Sequence, residues 1–370
     1  MVRKILYGML LFVPLALLAD FVLHLDPVLI FILAALGIIP LADLIGEATE
    51  ELSVYTGPKL GGLLNATLGN AAELIITIFA LREGLFDLVR ASITGSIIGN
   101  LLLVMGLSLL VGGLRHKLQT FDRRNAAINS TLLILALVAL AVPSLFDAAI
   151  EPDKAAELGL SEGVALIMIV LYGLSVVYSF SNGRHTTREP ATAEHETHTA
   201  HWSVRRALIV LAGATLAIVF LSEILVGAVE SVTVTLGLTE FFLGIIIIPL
   251  VGNVAEHLVA VQVAYKNKME LSLAVSIGSS LQVALFVAPV LVFISLLFGQ
   301  PLLLVFNSFE LVALVAASLI AAFIALDGES NWFEGAMLLA VYLILAIAFY
   351  FLPVNGAQEA AGEAVSLLVR

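Results

Sequence analysis

A carboxylate interrupts an apolar run at Glu73, within Gly69-Asn70-Ala71-Ala72-Glu73, and does so again 183 residues later at Glu256, within Gly252-Asn253-Val254-Ala255-Glu256. An ionisable side chain in hydrocarbon is costly unless it is paired, hydrated or bound to something. Two of them in the same pentapeptide point to a duplicated ion site. The duplication is longer than the pentapeptide. The stretch 46–57 (GEATEELSVYTG) answers 226–237 (VGAVESVTVTLG) at an offset of 180, which pairs Glu50 with Glu230. A three-residue insertion then moves the offset to 183, pairing Gly95-Ser96 with Gly278-Ser279.

The runs that carry these motifs belong to a membrane. With 61% hydrophobic and 12% charged residues, the 370-residue chain cannot form an ordinary soluble domain. Eleven segments are apolar enough to cross about 30 Å of hydrocarbon: 5–25, 28–46, 61–81, 91–113, 126–146, 162–180, 204–226, 241–264, 271–298, 302–325 and 333–353. Residues 5–25, preceded by Arg3-Lys4, read as a first transmembrane helix rather than a cleaved leader. The absence of cysteine removes disulfides, thiolate metal sites and cysteine nucleophiles. A net charge of −12 argues against nucleic acid as a partner.

The expected fold class is an all-α polytopic membrane protein of eleven transmembrane helices. Five spans per repeat is an odd number, so the second copy enters the membrane from the opposite side, giving two inverted-topology repeats plus one extra helix. The expected division is 1–27 for the extra helix, 28–180 for the first repeat, 181–203 for a linker, 204–353 for the second repeat and 354–370 for a tail. Basic residues set the orientation. With the N-terminus in the cytoplasm, thirteen lysines and arginines fall inside and only Arg82, Arg90, Lys154 and Arg370 outside, leaving the C-terminus outside. The connection 326–332 dissents, since it should be cytoplasmic and carries Asp327 and Glu329 without a base.

Both carboxylates sit where a helix invites interruption, after Gly61-Gly62 and Gly69 in one repeat and after Pro249 and Gly252 in the other. Freed backbone carbonyls are tolerated at membrane depth only beside protein or a watery cavity. In a helix, Asn70 and Glu73, like Asn253 and Glu256, are i and i+3 and share a face. Ser96 with Asn100, and Ser279 with Gln282, add amide and hydroxyl oxygens at helical spacing. The bland account of Ser96, Asn100, Ser279 and Gln282 is close helix packing with amides bonding between helices. Beside two buried carboxylates they read instead as ligands or their supports. Such a donor set is all hard oxygen, which suits Ca²⁺. Two carboxylates facing one another in a low dielectric require either a divalent cation or protons. His257, next to Glu256, adds a candidate for proton transfer with Glu73 and Glu256. Glu50 and Glu230, at matched positions, are candidates for entry or gating. No resident cofactor is expected, because Ca²⁺ and H⁺ would be cargo.

The motifs GNAAELI (69–75), GSIIGNLLLVMG (95–106), GNVAEHLVAV (252–261), KNKMELSLAVSIGSS (266–280) and LQVALFVAP (281–289) resemble those of the Ca²⁺/H⁺ antiporters, the CAX family of the cation/Ca²⁺ exchanger superfamily. The resemblance covers essentially all of 28–353. It implies eleven helices around a central site, Glu73 and Glu256 as carriers of Ca²⁺ and H⁺, spans 2 and 7 as gates, and a prokaryotic plasma membrane as the location. The sodium-coupled relatives carry a different sequence where Gly-Asn-x-x-Glu-His stands here, so protons are the expected counter-ion and Na⁺-coupled exchange the alternative. A passive cation channel would not need an inverted repeat. An intramembrane hydrolase would need a buried nucleophile and its base, and no span carries that pair. Membrane lipid is an expected partner, and a homo-oligomer is left open. The linker's His195, His198 and His201, beside Glu194 and Glu196, form a tract read mainly as a disordered tether with a weak zinc site as alternative.

Overall fold

The computed structural model describes residues 2–150, 153–182 and 200–352, which leaves the linker histidines His195 and His198 and the tail 354–370 outside the described residues. Among these residues nine helices are long and apolar enough to cross a membrane, and Ser308–Ile324 is a shorter apolar helix. A tenth crossing helix is broken. Helix Pro27–Leu68 continues through a kink at Gly57 (φ 80°) and gives way at Gly69-Asn70 to helix Ala71–Arg82.

The expected loop after residue 46 is therefore helical. Its sequence, GEATEELSVYT, has no proline and carries three glutamates, an alanine and a leucine, which favour helix whether or not hydrocarbon surrounds them. Glycine takes the positive φ that ends it. The expected span 302–325 is also corrected. Residues 301–307 run extended, and the helix begins only at Ser308, where Asn307 and Glu310 form a capping box. Pro301 cannot donate to a helix, and serine hydroxyls from three neighbouring helices take up the segment's amides instead. Leu302 N–H donates to Ser295 Oγ at 2.8 Å, Leu304 N–H to Ser161 Oγ at 3.2 Å and Phe306 N–H to Ser144 Oγ at 2.8 Å. The buried strap leaves no amide of these three residues unmet, and Leu302, Leu304 and Phe306 join the core.

The repeat is visible in the backbone. Gly57 and Gly237, at the offset of 180, both adopt positive φ, 80° and 64°. Gly84 and Asn267, at the offset of 183, do so at 77° and 61°. π-Helical turns interrupt the two corresponding long helices at Gly99–Val104 and Val283–Val287. Ser53 Oγ donates to the Glu50 carbonyl at 2.6 Å and Thr233 Oγ1 to the Glu230 carbonyl at 2.7 Å, so the matched glutamates sit in matched turns.

The dissenting connection finds its bases in a neighbour. Leu118–Thr120 pairs antiparallel with Glu329–Asn331, and Phe121 N–H donates to the Gly328 carbonyl at 3.0 Å. The acidic turn around Asp327 and Glu329 thus lies on the same side as Arg115, Lys117, Arg123 and Arg124. Close helix packing continues above this clamp, because Gly335 lies where a Cβ would fall 2.3 Å from Leu110 N.

Candidate cation site

Helices Ala71–Arg82, Phe86–His116, Glu240–Tyr265 and Met269–Leu297 bring the repeated motifs together. In the first repeat the expected interruption is present: the helix breaks at Gly69-Asn70, and Glu73 falls in the first turn of the next helix. The positive end of that helix therefore faces the carboxylate. In the second repeat the expectation is corrected, since Ile248–Tyr265 runs unbroken through Gly252. The distortion lies upstream, as a π-turn over Leu243–Ile247 just before Pro249. Proline has no N–H to return to the carbonyl four residues back, which here is Ile245. That carbonyl lies against Gly95, where a Cβ would meet it at 2.1 Å.

Glu73 is completely buried, and it accepts a hydrogen bond from Ser96 Oγ on Oε1. Asn253, from the other repeat, donates to Glu73 Oε2 at 3.5 Å and to Ser96 Oγ at 3.2 Å. Gly252 makes room for this approach, with its Cβ position 3.4 Å from Glu73 Cβ. Glu256 lies near enough for its charge to act on Glu73, and Ser279 stands beside Glu256. Asn70 Nδ2 donates to Gln282 Oε1 at 2.8 Å. The two Gly-Asn-x-x-Glu motifs and the two Gly-Ser motifs thus form one cluster. Thr77 turns back on its own helix, donating to the Glu73 carbonyl at 2.8 Å.

Four buried oxygens in this cluster have no hydrogen-bond partner among the described residues: Asn70 Oδ1, Asn253 Oδ1, Glu256 Oε2 and Ser279 Oγ. Buried polar atoms are ordinarily paired, so this group of acceptors is a candidate donor set for a hard cation. Asn100 is buried too, but the atom it leaves unpaired is Nδ2, a donor, which suits a supporting role better than ligation. His257 is one helix position past Glu256, turned about 100° from it, and forms no hydrogen bond or ion pair among the described residues.

Glu50 and Glu230 are both exposed, away from the cluster. Glu230 shares its end of the bundle with Asp87 and Glu240, whose charges act on one another. Glu51, not Glu50, does the mechanical work on the other helix: its Oε2 accepts from His201 N–H at 2.8 Å and Trp202 N–H at 2.9 Å. Tyr55 OH adds a bond to the Trp202 carbonyl at 2.6 Å. The part of Pro27–Leu68 just before the Gly57 kink is thereby tied to the start of Val204–Gly227.

Two further features escaped the sequence reading. Helix Phe86–His116 begins before the expected span 91–113 and so carries Arg90, paired with Asp87. Glu310 is a buried carboxylate on Ser308–Ile324, bonded to Thr94. Its only local signal is Asn307-x-x-Glu310 after Pro301, which reads as a helix start.

Two helical repeats closing on an oxygen-lined pair of carboxylates, Glu73 buried and Glu256 partly so, define the inverted-repeat class of membrane transport proteins. The family described as sodium/calcium exchanger protein matches residues 27–181 and 206–351, and the chain belongs to that family. It is 46% identical over 366 residues to a Ca²⁺/H⁺ antiporter of Aphanothece halophytica, covering 95% of this chain and 98% of that one. It is also 46% identical over 342 residues to the Ca²⁺/H⁺ antiporter ChaA of Bacillus subtilis (strain 168), covering 92% and 97%. Native YfkE superposes with a TM-score of 0.82 at 43% identity, over 95% of this chain and all of that one. The H⁺/Ca²⁺ exchanger CAX, 17% identical with a TM-score of 0.73 and 99% of each chain covered, shares the fold.

Proposed function

We propose that the protein exchanges Ca²⁺ for H⁺ across a membrane by alternating access, with Glu73 and Glu256 as the groups that carry both ions. The observation that carries this reading is the cluster of unpaired oxygens, Asn70 Oδ1, Asn253 Oδ1, Glu256 Oε2 and Ser279 Oγ, around two carboxylates. Ca²⁺ takes six to eight hard oxygens in adaptable geometry, and this donor set supplies that chemistry. When both carboxylates are ionised, a divalent cation balances them; protons on the same oxygens balance them equally. The doubly charged empty form is expensive in a dry interior, so the site changes sides loaded with one or the other. Obligatory exchange follows from that penalty. Names of relatives at 46% identity support the same cargo.

Alternation is supported by an asymmetry between the repeats. At one end Gly95 packs on Ile245 and Gly244 on Leu88, whereas Gly278, the counterpart of Gly95, meets nothing within 4 Å among the described residues. This packing closes one approach to the site. With the basic connections in the cytoplasm, the sealed end faces outward, the N-terminus is inside and the C-terminus outside. The repeats 28–180 and 204–353 then exchange these arrangements.

Ca²⁺ uptake into everted membrane vesicles tests the proposal. An acidic lumen drives uptake and Na⁺ does not replace it. Sodium-driven flux at uniform pH would assign the protein to the other branch.

A further inference from the structure

Glu310 stands apart from the cation site, on the helix Ser308–Ile324, and is only 2% exposed. Its Oε2 accepts the Asn307 N–H at 2.8 Å, closing the capping box, and its Oε1 accepts Thr94 Oγ1 at 3.2 Å. It has no ion pair among the described residues. The cap does not explain the charge, because glutamine fills the same place in a capping box. Glu334 provides the comparison within the chain: it closes an identical box with Asn331 at the start of Trp332–Tyr350, but there the carboxylate is only partly buried. The symmetry does not explain it either, since the position 183 residues earlier is Ala127. A charge retained inside a transmembrane bundle without a structural need for it is a functional group by default.

Its surroundings say what the charge reaches. Thr94 precedes Gly95, the residue sealed against Ile245, and Ser96 follows with its bond to Glu73. Arg90, one turn away from Thr94, attracts the Glu310 carboxylate, and Asp87 repels it. Arg90 is itself paired with Asp87, whose side chain is 74% exposed, so charged groups lead from Glu310 to the surface. The neighbouring helix Arg123–Ile150 brings Asp147 to the same end, one turn beyond the Ser144 that holds Phe306. The carboxylate of Trp332–Tyr350, Glu334, is at the opposite end, next to the paired strand Glu329–Asn331, and the other titratable groups of that helix are the phenols of Tyr342 and Tyr350.

We propose that Glu310 is a further titratable carboxylate of the exchange cycle, which takes protons from the face where Asp87 is exposed and positions residues 94–96 through Thr94. The inference rests on the Ca²⁺/H⁺ reading. The chemistry is a proton passing between water at that face and Oε1. Ionised, Oε1 accepts from Thr94; protonated, it donates to Thr94, whose hydroxyl then turns its own proton to the carbonyl of Arg90. The helix segment that seals the site and holds Glu73 is thus bonded differently in the two states. Glu310 is a positioning residue, acting through Thr94 rather than on the cargo.

The test uses the full chain in everted vesicles whose lumenal pH is set independently of the outside. Glu310→Gln keeps the cap and a polar contact to Thr94 but cannot titrate. Its exchange rate is expected to fall about tenfold, the equivalent of exchanging a hydrogen bond to a charged group for a neutral one. The lumenal pH profile of the rate is also expected to become shallower, losing the part that Glu310 contributes while Glu73 and Glu256 keep theirs, with the outside pH profile unchanged and Ca²⁺ binding within twofold of the wild type. Glu334→Gln should change none of these. Wild-type rate and lumenal pH profile in Glu310→Gln would reduce Glu310 to a helix cap, and loss of Ca²⁺ binding would move it into the cation site; either overturns the proposal. Should Glu310→Gln not fold, Thr94→Val carries the test, because it removes only the hydroxyl. An unaltered lumenal pH profile in that variant also overturns it. Failure of the Ca²⁺/H⁺ reading is recognised separately, by wild-type vesicles that take up no Ca²⁺ under a pH gradient.

Discussion

Asn253 donates to Glu73 across the boundary between the repeats, at 3.5 Å, whereas its counterpart Asn70 donates to Gln282 at 2.8 Å and not to Glu256. The two halves of the site are therefore unequal in this conformation. Glu73 has its donors in place from Ser96 and Asn253, and Glu256 keeps an oxygen without one. A cation arriving here would meet Glu256 first as a free ligand.

That inequality predicts different costs for the two asparagines. Asn253→Ala removes a candidate ligand oxygen and also strips Glu73 and Ser96 of their shared donor, leaving buried acceptors unmet at about 1–3 kcal/mol. Asn70→Ala removes one oxygen and frees Gln282 to replace it. Initial rates of Ca²⁺ uptake against Ca²⁺ concentration should show the larger loss of apparent affinity in Asn253→Ala. Equal losses would mean that the observed bonding does not persist during transport.

The sealed end predicts a second contrast. A methyl group at Gly95 would sit 2.1 Å from the Ile245 carbonyl, backbone that cannot swing away, whereas at Gly278 it would meet nothing among the described residues. Overpacking of this kind costs about 1–3 kcal/mol. Gly95→Ala should lower the thermal midpoint of the detergent-purified protein, and Gly278→Ala should hold or raise it, alanine being the better helix former by up to about 1 kcal/mol. Equal destabilisation would show that both ends are sealed in solution.

The repeat, the site and the fold class were legible because each leaves a local trace. Glycines at Gly57, Gly237 and Gly69, the paired Gly-Asn-x-x-Glu strings and long apolar runs are written in consecutive residues. What escaped was settled by partners distant in sequence. The strap 301–307 reads as apolar helix until Ser144, Ser161 and Ser295 are known to take its amides. The break expected at Gly252 was displaced to Leu243–Ile247 because a π-turn absorbs Pro249 while the motif itself stays helical. Glu310 falls inside the expected span 302–325 and carries no reading there, since nothing near it in sequence reports that Thr94 meets it.

The acidic ends of the first long helices give a third contrast. Glu50 is exposed and matched by Glu230, so Glu50→Gln should slow exchange or weaken apparent affinity but leave it measurable. Glu51 holds two backbone N–H groups of the chain entering Val204–Gly227. Glu51→Ala leaves both without that acceptor and should increase protease cleavage around residues 200–203, with a smaller effect from Tyr55→Phe. Unchanged cleavage in Glu51→Ala would show that Trp202 packing holds this end without the carboxylate.

The decisive variants are Glu73→Gln and Glu256→Gln. Each keeps size and one carbonyl oxygen but removes a negative charge and a site for a proton. One remaining carboxylate cannot balance a dehydrated divalent cation, so either change should abolish coupled exchange. Glu→Asp at the same positions keeps the charge and shortens its reach by one methylene; adaptable Ca²⁺ geometry allows some transport at weaker affinity. Because ligands must lose their protons to hold a metal, wild-type Ca²⁺ affinity should rise with pH. That slope should flatten in Glu256→Gln, whose substituted group no longer exchanges a proton for the cation. The readouts are equilibrium ⁴⁵Ca²⁺ binding across pH and uptake driven by a pH gradient. If both glutamine variants still exchange Ca²⁺ for protons near the wild-type rate, the oxygens around Glu73 and Glu256 are not the transport site.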